Sequence, residues 1–135
     1  MQPQAVETSL ATVERGEDGL IRIRVRLGAR LTVSGFAEIL QARKALAQHG
    51  PAGVIATVPD DIDFDLAILS VDHYAGIDAR AFTQAFAIVS QAELHQRLCA
   101  IYNGYFKPGF PIRIFADEAE ARAWVMGHGP RTVAG

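Results

Sequence analysis

The chain has 135 residues, which is enough for one domain with its own core. Half of the residues are hydrophobic and 21% are charged, a composition that is typical of globular proteins and excludes a disordered chain. The formal net charge of −2 argues against bulk electrostatic binding of nucleic acid, so we expect no nucleic-acid partner.

Three features of the sequence predict a cytoplasmic protein. The single cysteine, Cys99, cannot form an intrachain disulfide, which fits a reducing compartment. The N-terminus lacks the basic start and the apolar run of a signal peptide, and no stretch of about 18 apolar residues could span a membrane. We expect one domain over residues 5–126, with residues 1–4 and 127–135 as flexible termini.

The N-terminal part predicts a β-hairpin with strands over residues 6–14 and 20–27. The second strand alternates apolar residues with arginines, which is typical of a strand with one solvated face. The register that we expect pairs Val13 with Leu20 and Glu7 with Arg26. The arginines on the solvated face could bind an anion, but we favour the role of charges that protect an edge strand from aggregation. These arginines are Arg22, Arg24 and Arg26, with Arg30 beyond them.

Helices and strands alternate along the rest of the chain. The predicted elements are a helix over residues 34–49 capped by Thr32 or Ser34, a strand over 53–58, a short helix from about Asp63 that breaks near Gly76, a strand over 85–89, a helix over 91–105, a strand over 111–115 and a final helix capped by Asp117. The order β-β-α-β-α-β-α-β-α predicts a single α/β domain in which helices pack on a mixed, mostly parallel sheet.

The last third of the chain resembles a known bacterial family. The block from Tyr102 to Phe115, followed by Asp117 to Ala121 and by Trp124, is similar to the C-terminal end of small STAS-like proteins. These proteins are uncharacterised relatives of the anti-sigma-factor antagonists and are also grouped with SEC14-like lipid-binding folds. The resemblance implies a STAS-like fold and a role in protein–protein regulation or small-ligand binding rather than catalysis.

The loop after the third strand departs from the family pattern. The antagonists carry a phosphorylatable Ser or Thr there, whereas this loop, from Pro59 to Asp63, has no hydroxyl group, and Ser70 lies too far along the chain. The carboxylates of Asp60, Asp61 and Asp63 could mimic the charge of a phosphorylated residue. They also follow a central strand, where open α/β sheets place ligands, so we predict that they contact a ligand or a partner.

The acidic segment also has the spacing of a calcium loop. Asp61, Asp63 and Asp65 alternate with other residues, and Asp72 takes the twelfth position. The sixth position is Leu66, where a calcium loop needs glycine for its sharp turn. We therefore expect a solvated loop without a metal, and we predict no cofactor.

Two groups of residues carry reactive side chains. Asp72, His73 and Tyr74 could act in acid–base chemistry, and Cys99 with His95 could form a nucleophile and its base. For Asp72, His73 and Tyr74 the alternative is a hydrogen-bonded or partner-binding cluster, and for Cys99 it is a buried small hydrophobic residue. We favour the alternative in both cases. Because no catalytic signature is present, we expect a protein that is not an enzyme.

A late cluster of aromatic residues completes the set of candidate partner-binding positions. Tyr105, Phe106 and Phe110 flank a predicted turn, and an exposed aromatic patch is typical of an interface. We expect a regulatory or protein-interaction module that binds a protein partner or itself, as a homodimer. The alternative is a carrier of a small molecule or lipid, with an apolar pocket between sheet and helices under Tyr74, Phe82 and Leu98.

Overall fold

A computed structural model of the chain describes residues 5–47, 50–106 and 109–128. In chain order these residues form strands β1 (Ala5–Glu7), β2 (Ala11–Arg15), β3 (Ile21–Val25) and β4 (Arg30–Leu31), helix α1 (Val33–Leu46), strands β5 (Ala52–Thr57), β6 (Asp63–Phe64) and β7 (Thr83–Val89), helix α2 (Glu93–Tyr105), strand β8 (Ile112–Phe115) and helix α3 (Glu118–Gly127). Two 3₁₀ turns, Leu66–Ser70 and Ala79–Ala81, connect β6 to β7.

The main sheet has six strands in the order β1-β2-β3-β5-β7-β8. Its first three strands are antiparallel, and β3, β5, β7 and β8 pair in parallel. Strands β4 and β6 form a separate parallel pair. The predicted α/β fold with a mixed, mostly parallel sheet is confirmed.

Helices cover both faces of the sheet, which explains the apolar sequence of β5. Helix α3 packs on β5, β7 and β8 from one side, where Ala121 and Val125 are buried against Ile55 and Ala87. Helices α1 and α2 lie on the other side. Five of the six residues of β5 are buried, as expected for a central strand without a solvated face.

The predicted hairpin register is wrong by three residues. Val13 pairs with Ile23 rather than Leu20, because Leu20 belongs to the turn, where its carbonyl accepts from the N–H of Gly16 (2.9 Å). The predicted contact between Glu7 and Arg26 nevertheless forms. The contact forms because the predicted first strand is divided into β1 and β2. Strand β1 pairs antiparallel with β2 instead of continuing in the same direction.

The helix predicted from Asp63 to near Gly76 is also wrong. The N–H groups of Asp63 and Asp65 donate to the carbonyls of Ala29 and Leu31 (both 2.9 Å), so the start of this segment is a strand beside β4. Only short 3₁₀ turns follow. Pairing with a distant strand therefore replaces the local helical hydrogen bonds.

The helix ends agree with the predicted caps. Thr32 rather than Ser34 caps α1, since its side chain accepts from the N–H of Gly35 (3.0 Å), and Asp117 caps α3. Helix α3 continues through Gly127, so the predicted C-terminal tail begins too early; residues 1–4 and 129–135 lie outside the described residues. None of the helices in the described ranges is both long and apolar enough to cross a membrane.

Candidate functional site

An apolar cavity of about 160 Å³ lies between the sheet and helices α1 and α2. Its floor includes Ile23 of β3, Ala56 of β5 and Ile88 of β7, which stand side by side in the parallel register. Because the central member of this row is an alanine, the floor is lowest between the two isoleucines. The sequence of three strands therefore creates a depression under the helices.

Helix α1 and the segment between β5 and β7 form two walls of the cavity. Phe36, Ile39 and Arg43 of α1 share one helical face and line the cavity together. The segment after β5 lines the cavity with its apolar side chains. These are Val58, Ile62, Phe64, Ile68 and Leu69, followed by the rings of His73 and Tyr74.

Helix α2 forms the third wall and stands away from the sheet. Only His95 is fully buried in this helix, whereas Leu98, Cys99 and Tyr102 face the cavity and are half-buried. A space below the helix explains why its inner face is only partly covered. The predicted pocket under Tyr74, Phe82 and Leu98 thus exists, except that Phe82 does not line it.

Arg43 is a buried cation in the cavity wall, and the sequence analysis missed it. Only 2% of the residue is exposed. Its Nη1 donates to the hydroxyl of Tyr74 (2.8 Å) and its Nη2 donates to Oγ1 of Thr83 (2.6 Å). Nε has no hydrogen-bond partner among the described residues. The sequence does contain a signal for this residue, since Arg43 is a charged residue on the apolar face of α1, four positions after Ile39.

The ring of His73 is held by stacking. It lies between the rings of Phe36, with a centroid distance of 4.1 Å, and Tyr102, at 5.4 Å. Its Nε2 is 2.9 Å from the carbonyl oxygen of Ile68. Burial lowers the pKa of His73, although the Ile68 carbonyl and the charge of Asp72 act in the opposite direction.

The neighbours of His73 do not form an acid–base group with it. The carboxylate of Asp72 accepts from the backbone N–H of Tyr74 (3.1 Å), not from the His73 ring. The Tyr74 hydroxyl is bound to Arg43. The structure therefore favours the interpretation of these residues as a hydrogen-bonded cluster.

His95 and Cys99 also line the cavity and are not hydrogen-bonded to each other within the described structure. Nδ1 of His95 is 2.6 Å from the hydroxyl oxygen of Ser90, and its ring packs edge-on against Phe64. Burial lowers the pKa of His95 and raises the pKa of Cys99 to about 11. Because a nucleophilic cysteine must be a thiolate, Cys99 fits the expected buried hydrophobic residue.

The family model for SpoIIAA-like proteins matches residues 22–126. The chain belongs to the SpoIIAA-like family. This finding confirms the family predicted from the C-terminal block. No curated protein matches the sequence.

Two solved structures are similar to this SpoIIAA-like chain. An uncharacterised protein from Shewanella loihica with a SpoIIAA-like fold aligns with a TM-score of 0.59 and 15% identity, over 93% of this chain and 96% of that one. An anti-sigma factor antagonist from Mycobacterium paratuberculosis aligns with a TM-score of 0.49 and 14% identity, over 86% of this chain and 92% of that one. At such low identity the Shewanella structure supports the fold alone.

The acidic residues of this SpoIIAA-like domain lie at the carboxyl end of β5, as predicted, but outside the cavity lining. Asp60 is exposed, Asp61 accepts from the N–H of Gly28 (3.2 Å), and Asp63 pairs with Arg30 (2.9 Å). Asp65 caps the 3₁₀ turn after it. In the described ranges no three His, Cys, Asp or Glu side chains come together as a metal site.

The predicted aromatic residues do not form one patch. Tyr105 is 79% exposed, Phe106 packs half-buried on Tyr102 and Phe110 is buried against the rings of Tyr74 and Phe86. Helix α2 instead has an exposed apolar stripe on its outer face. It consists of Leu94 (60% exposed), Ile101 (48% exposed) and Tyr105.

Proposed function

We propose that this SpoIIAA-like protein is a non-enzymatic binding module that takes a small apolar molecule into its cavity. The observation that carries the proposal is the partly open apolar cavity of about 160 Å³ that is bordered by the sheet, α1 and α2. An engineered apolar cavity of about 150 Å³ stays dry and binds benzene. The cavity therefore has room for an apolar body of about that size.

The surroundings of the cavity support a ligand. Side chains that face an empty space lose the dispersion contacts that close packing would provide. Leu98, Cys99 and Tyr102 are in this position, since they line the cavity and are only half-buried. A bound apolar molecule would restore those contacts and remove further apolar area from water.

The reactive side chains near the cavity support binding rather than catalysis. Burial raises the pKa of Cys99 to about 11, so the residue is a thiol at neutral pH. The His73 ring is stacked between two other rings, and Asp72 is bound to a backbone N–H. These contacts support a structural role for each group.

Filling the cavity tests the proposal. Cys99→Phe places a ring in the cavity, whereas Ala100→Phe adds the same ring to the exposed face of α2 and serves as the control. We expect toluene to bind the wild type and Ala100→Phe with similar affinity in an NMR shift titration, and to bind Cys99→Phe at least about ten-fold more weakly. Native mass spectrometry of protein purified from cells would identify a retained ligand.

Two results would overturn this function. The first is a wild-type protein that shows no shifts at saturating toluene. The second is equal binding to Cys99→Phe, provided that a thermal melt shows that this variant is folded.

A second candidate function is partner binding through the outer face of α2, and self-association is the form that we propose. Leu94, Ile101 and Tyr105 lie on one face and are exposed. Beside them Glu93 and Arg97 form an exposed ion pair (2.6 Å). A stripe with both charges at its edge is complementary to a second copy of itself about a two-fold axis.

Sedimentation velocity over a range of concentrations tests this second function. We expect a dimer that dissociates in Ile101→Asp, because a carboxylate in the apolar stripe would be desolvated by the partner helix. Gln96→Asp, on an exposed position of the same helix, is the matched control and should remain dimeric. A wild-type protein that is monomeric at all concentrations would exclude self-association.

A further inference from the structure

Among the described residues, the buried guanidinium of Arg43 has neutral partners but no anion. The described residues form seven ion pairs, and none of them includes Arg43. No aspartate or glutamate lines the cavity. Arginine remains protonated in proteins, and a buried charge is costly unless it is paired. Within the described part of the chain, the positive charge of Arg43 therefore has no anion to compensate it.

Three aromatic rings and two hydroxyl groups compensate for only part of that cost. The guanidinium carbon lies 4.7 Å from the centre of the Phe86 ring, 5.6 Å from Phe82 and 5.8 Å from Tyr74. Of the five N–H donors of the guanidinium, one donates to Tyr74 and one to Thr83. The N–H of Nε is among those that remain without a partner in the described residues.

Burial favours the neutral form of four other titratable groups that line the cavity. Burial lowers the pKa values of His73 and His95, which favours the uncharged rings. Burial raises the pKa values of Cys99 and Tyr102, which favours the thiol and the phenol. The electrostatic character of the cavity is therefore set by Arg43.

We propose that the ligand of this cavity is a small apolar carboxylic acid, with its carboxylate on the guanidinium of Arg43 and its apolar body over Ala56. This inference rests on the proposed ligand-binding function and adds the chemical class of the ligand. A carboxylate matches the planar fork of an arginine and forms charge-assisted hydrogen bonds with it. The Tyr74 hydroxyl accepts from Arg43, so its own proton is available for the same carboxylate.

The size of the cavity limits the body of the acid. A volume of about 160 Å³ holds a benzene-sized group and not a long acyl chain. Phenylacetate meets both requirements, since it joins one ring to one carboxylate. Phenylacetamide has nearly the same shape and no charge, which makes it the matched comparison ligand.

Isothermal titration of the full chain with these two ligands tests the inference. We expect the wild type to bind phenylacetate at least about ten-fold more tightly than phenylacetamide, the ratio that charge-assisted hydrogen bonds support. Arg43→Met keeps the apolar stem and removes the charge, so it should lose this preference and bind both ligands equally. Arg24→Met removes an exposed arginine outside the cavity and should keep the preference.

The outcomes separate this inference from the function on which it rests. Equal binding of the two ligands to the wild type would overturn the carboxylate inference and leave the apolar cavity as a binding site. Failure of phenylacetate, phenylacetamide and toluene to bind would overturn the function as well. If Arg43→Met does not fold, Arg43→Lys replaces it; this variant keeps a charge without the fork and should show a reduced preference for the acid. An unchanged preference in Arg43→Met would also refute the role of Arg43.

Discussion

At Gly53 the central strand and helix α3 approach each other so closely that no side chain fits between them. A Cβ atom at this position would lie 2.3 Å from Cγ1 of Val125 and 3.0 Å from Cδ2 of Leu20. Both neighbours are buried, so neither can move into solvent. We expect Gly53→Ala to lower the free energy of unfolding by about 1–3 kcal/mol, as overpacked core sites do.

Urea denaturation measures this change, and Gly104→Ala is its control. No described atom lies within 4 Å of a Cβ at position 104, which is the next-to-last residue of α2. Alanine favours the helix over glycine, so this variant should gain up to about 1 kcal/mol. Equal stability of the two variants would show that α3 does not press on β5 as described.

The two histidines of the cavity wall predict a loss of stability in mild acid. Burial lowers the pKa values of His73 and His95 below their ordinary value of 6.5. As the pH falls through 6.5, the unfolded chain therefore takes up protons before the folded chain does, and the free energy of unfolding decreases. The decrease continues until the pH reaches the folded-state pKa values.

Urea midpoints at about pH 7.5 and about pH 5.5 measure this effect above the range in which most carboxylates titrate. The midpoint should be lower at the acidic pH. His73→Phe retains a ring for the stack with Phe36 and removes one of the two groups, so its midpoint should depend less on pH. A wild-type protein that is more stable at about pH 5.5 would contradict the direction of both pKa shifts.

At the scale of elements, the sequence correctly predicted the helices and strands that are specified by residues within or next to them. Helix α1 has its cap at Thr32, β5 is apolar throughout, and α3 begins after Asp117. The helix predicted from Asp63 to near Gly76 is wrong because the start of this segment pairs with β4, which lies about 30 residues earlier. Such a pairing leaves no periodic signal in the segment itself.

The orientation of α2 could not be predicted from its periodicity. The helix has apolar residues on two faces, one with Leu98 and Tyr102 and one with Leu94 and Ile101. The pattern alone does not say which face meets the sheet. The sequence predicted a pocket under Tyr74, Phe82 and Leu98, but its volume could not be predicted because it depends on how far α2 stands from Ala56. Arg43, in contrast, could have been noticed as a charge on the apolar face of α1.

The choice of cap on α1 gives a prediction at this scale. Thr32 accepts from the N–H of Gly35 at 3.0 Å, whereas the Ser34 hydroxyl lies within the first turn, 3.4 Å from Oγ1 of Thr32. We expect Thr32→Ala to cost about 1 kcal/mol of unfolding free energy because it leaves the N–H of Gly35 without its acceptor. Ser34→Ala should cost clearly less in the same urea denaturation. The reverse order would identify Ser34 as the cap.

At the scale of the whole molecule, the two faces of the sheet are covered unequally. Helix α3 packs directly on β5, β7 and β8, and its residues Ala121 and Val125 are buried in this contact. Helix α2 buries only His95, and it contacts the 3₁₀ turn Leu66–Ser70 rather than packing directly on the sheet. Of the three helices described, α2 therefore has the fewest buried side chains, and it borders the cavity.

Hydrogen exchange of the backbone amides tests this division. Few buried apolar contacts allow local opening, so we expect the amides of α2 to exchange faster than those of α3 in the free protein. Saturating toluene should slow exchange mainly in α2 and in the turn Leu66–Ser70, because the ligand supplies the contacts that α2 lacks. Equal protection of α2 and α3 in the free protein would show that α2 is held as firmly as α3. Toluene could instead slow the exchange of α3 as much as that of α2. Ligand binding would then stabilise the whole domain, and the cavity would have no separate influence on α2, the helix that carries the exposed apolar stripe.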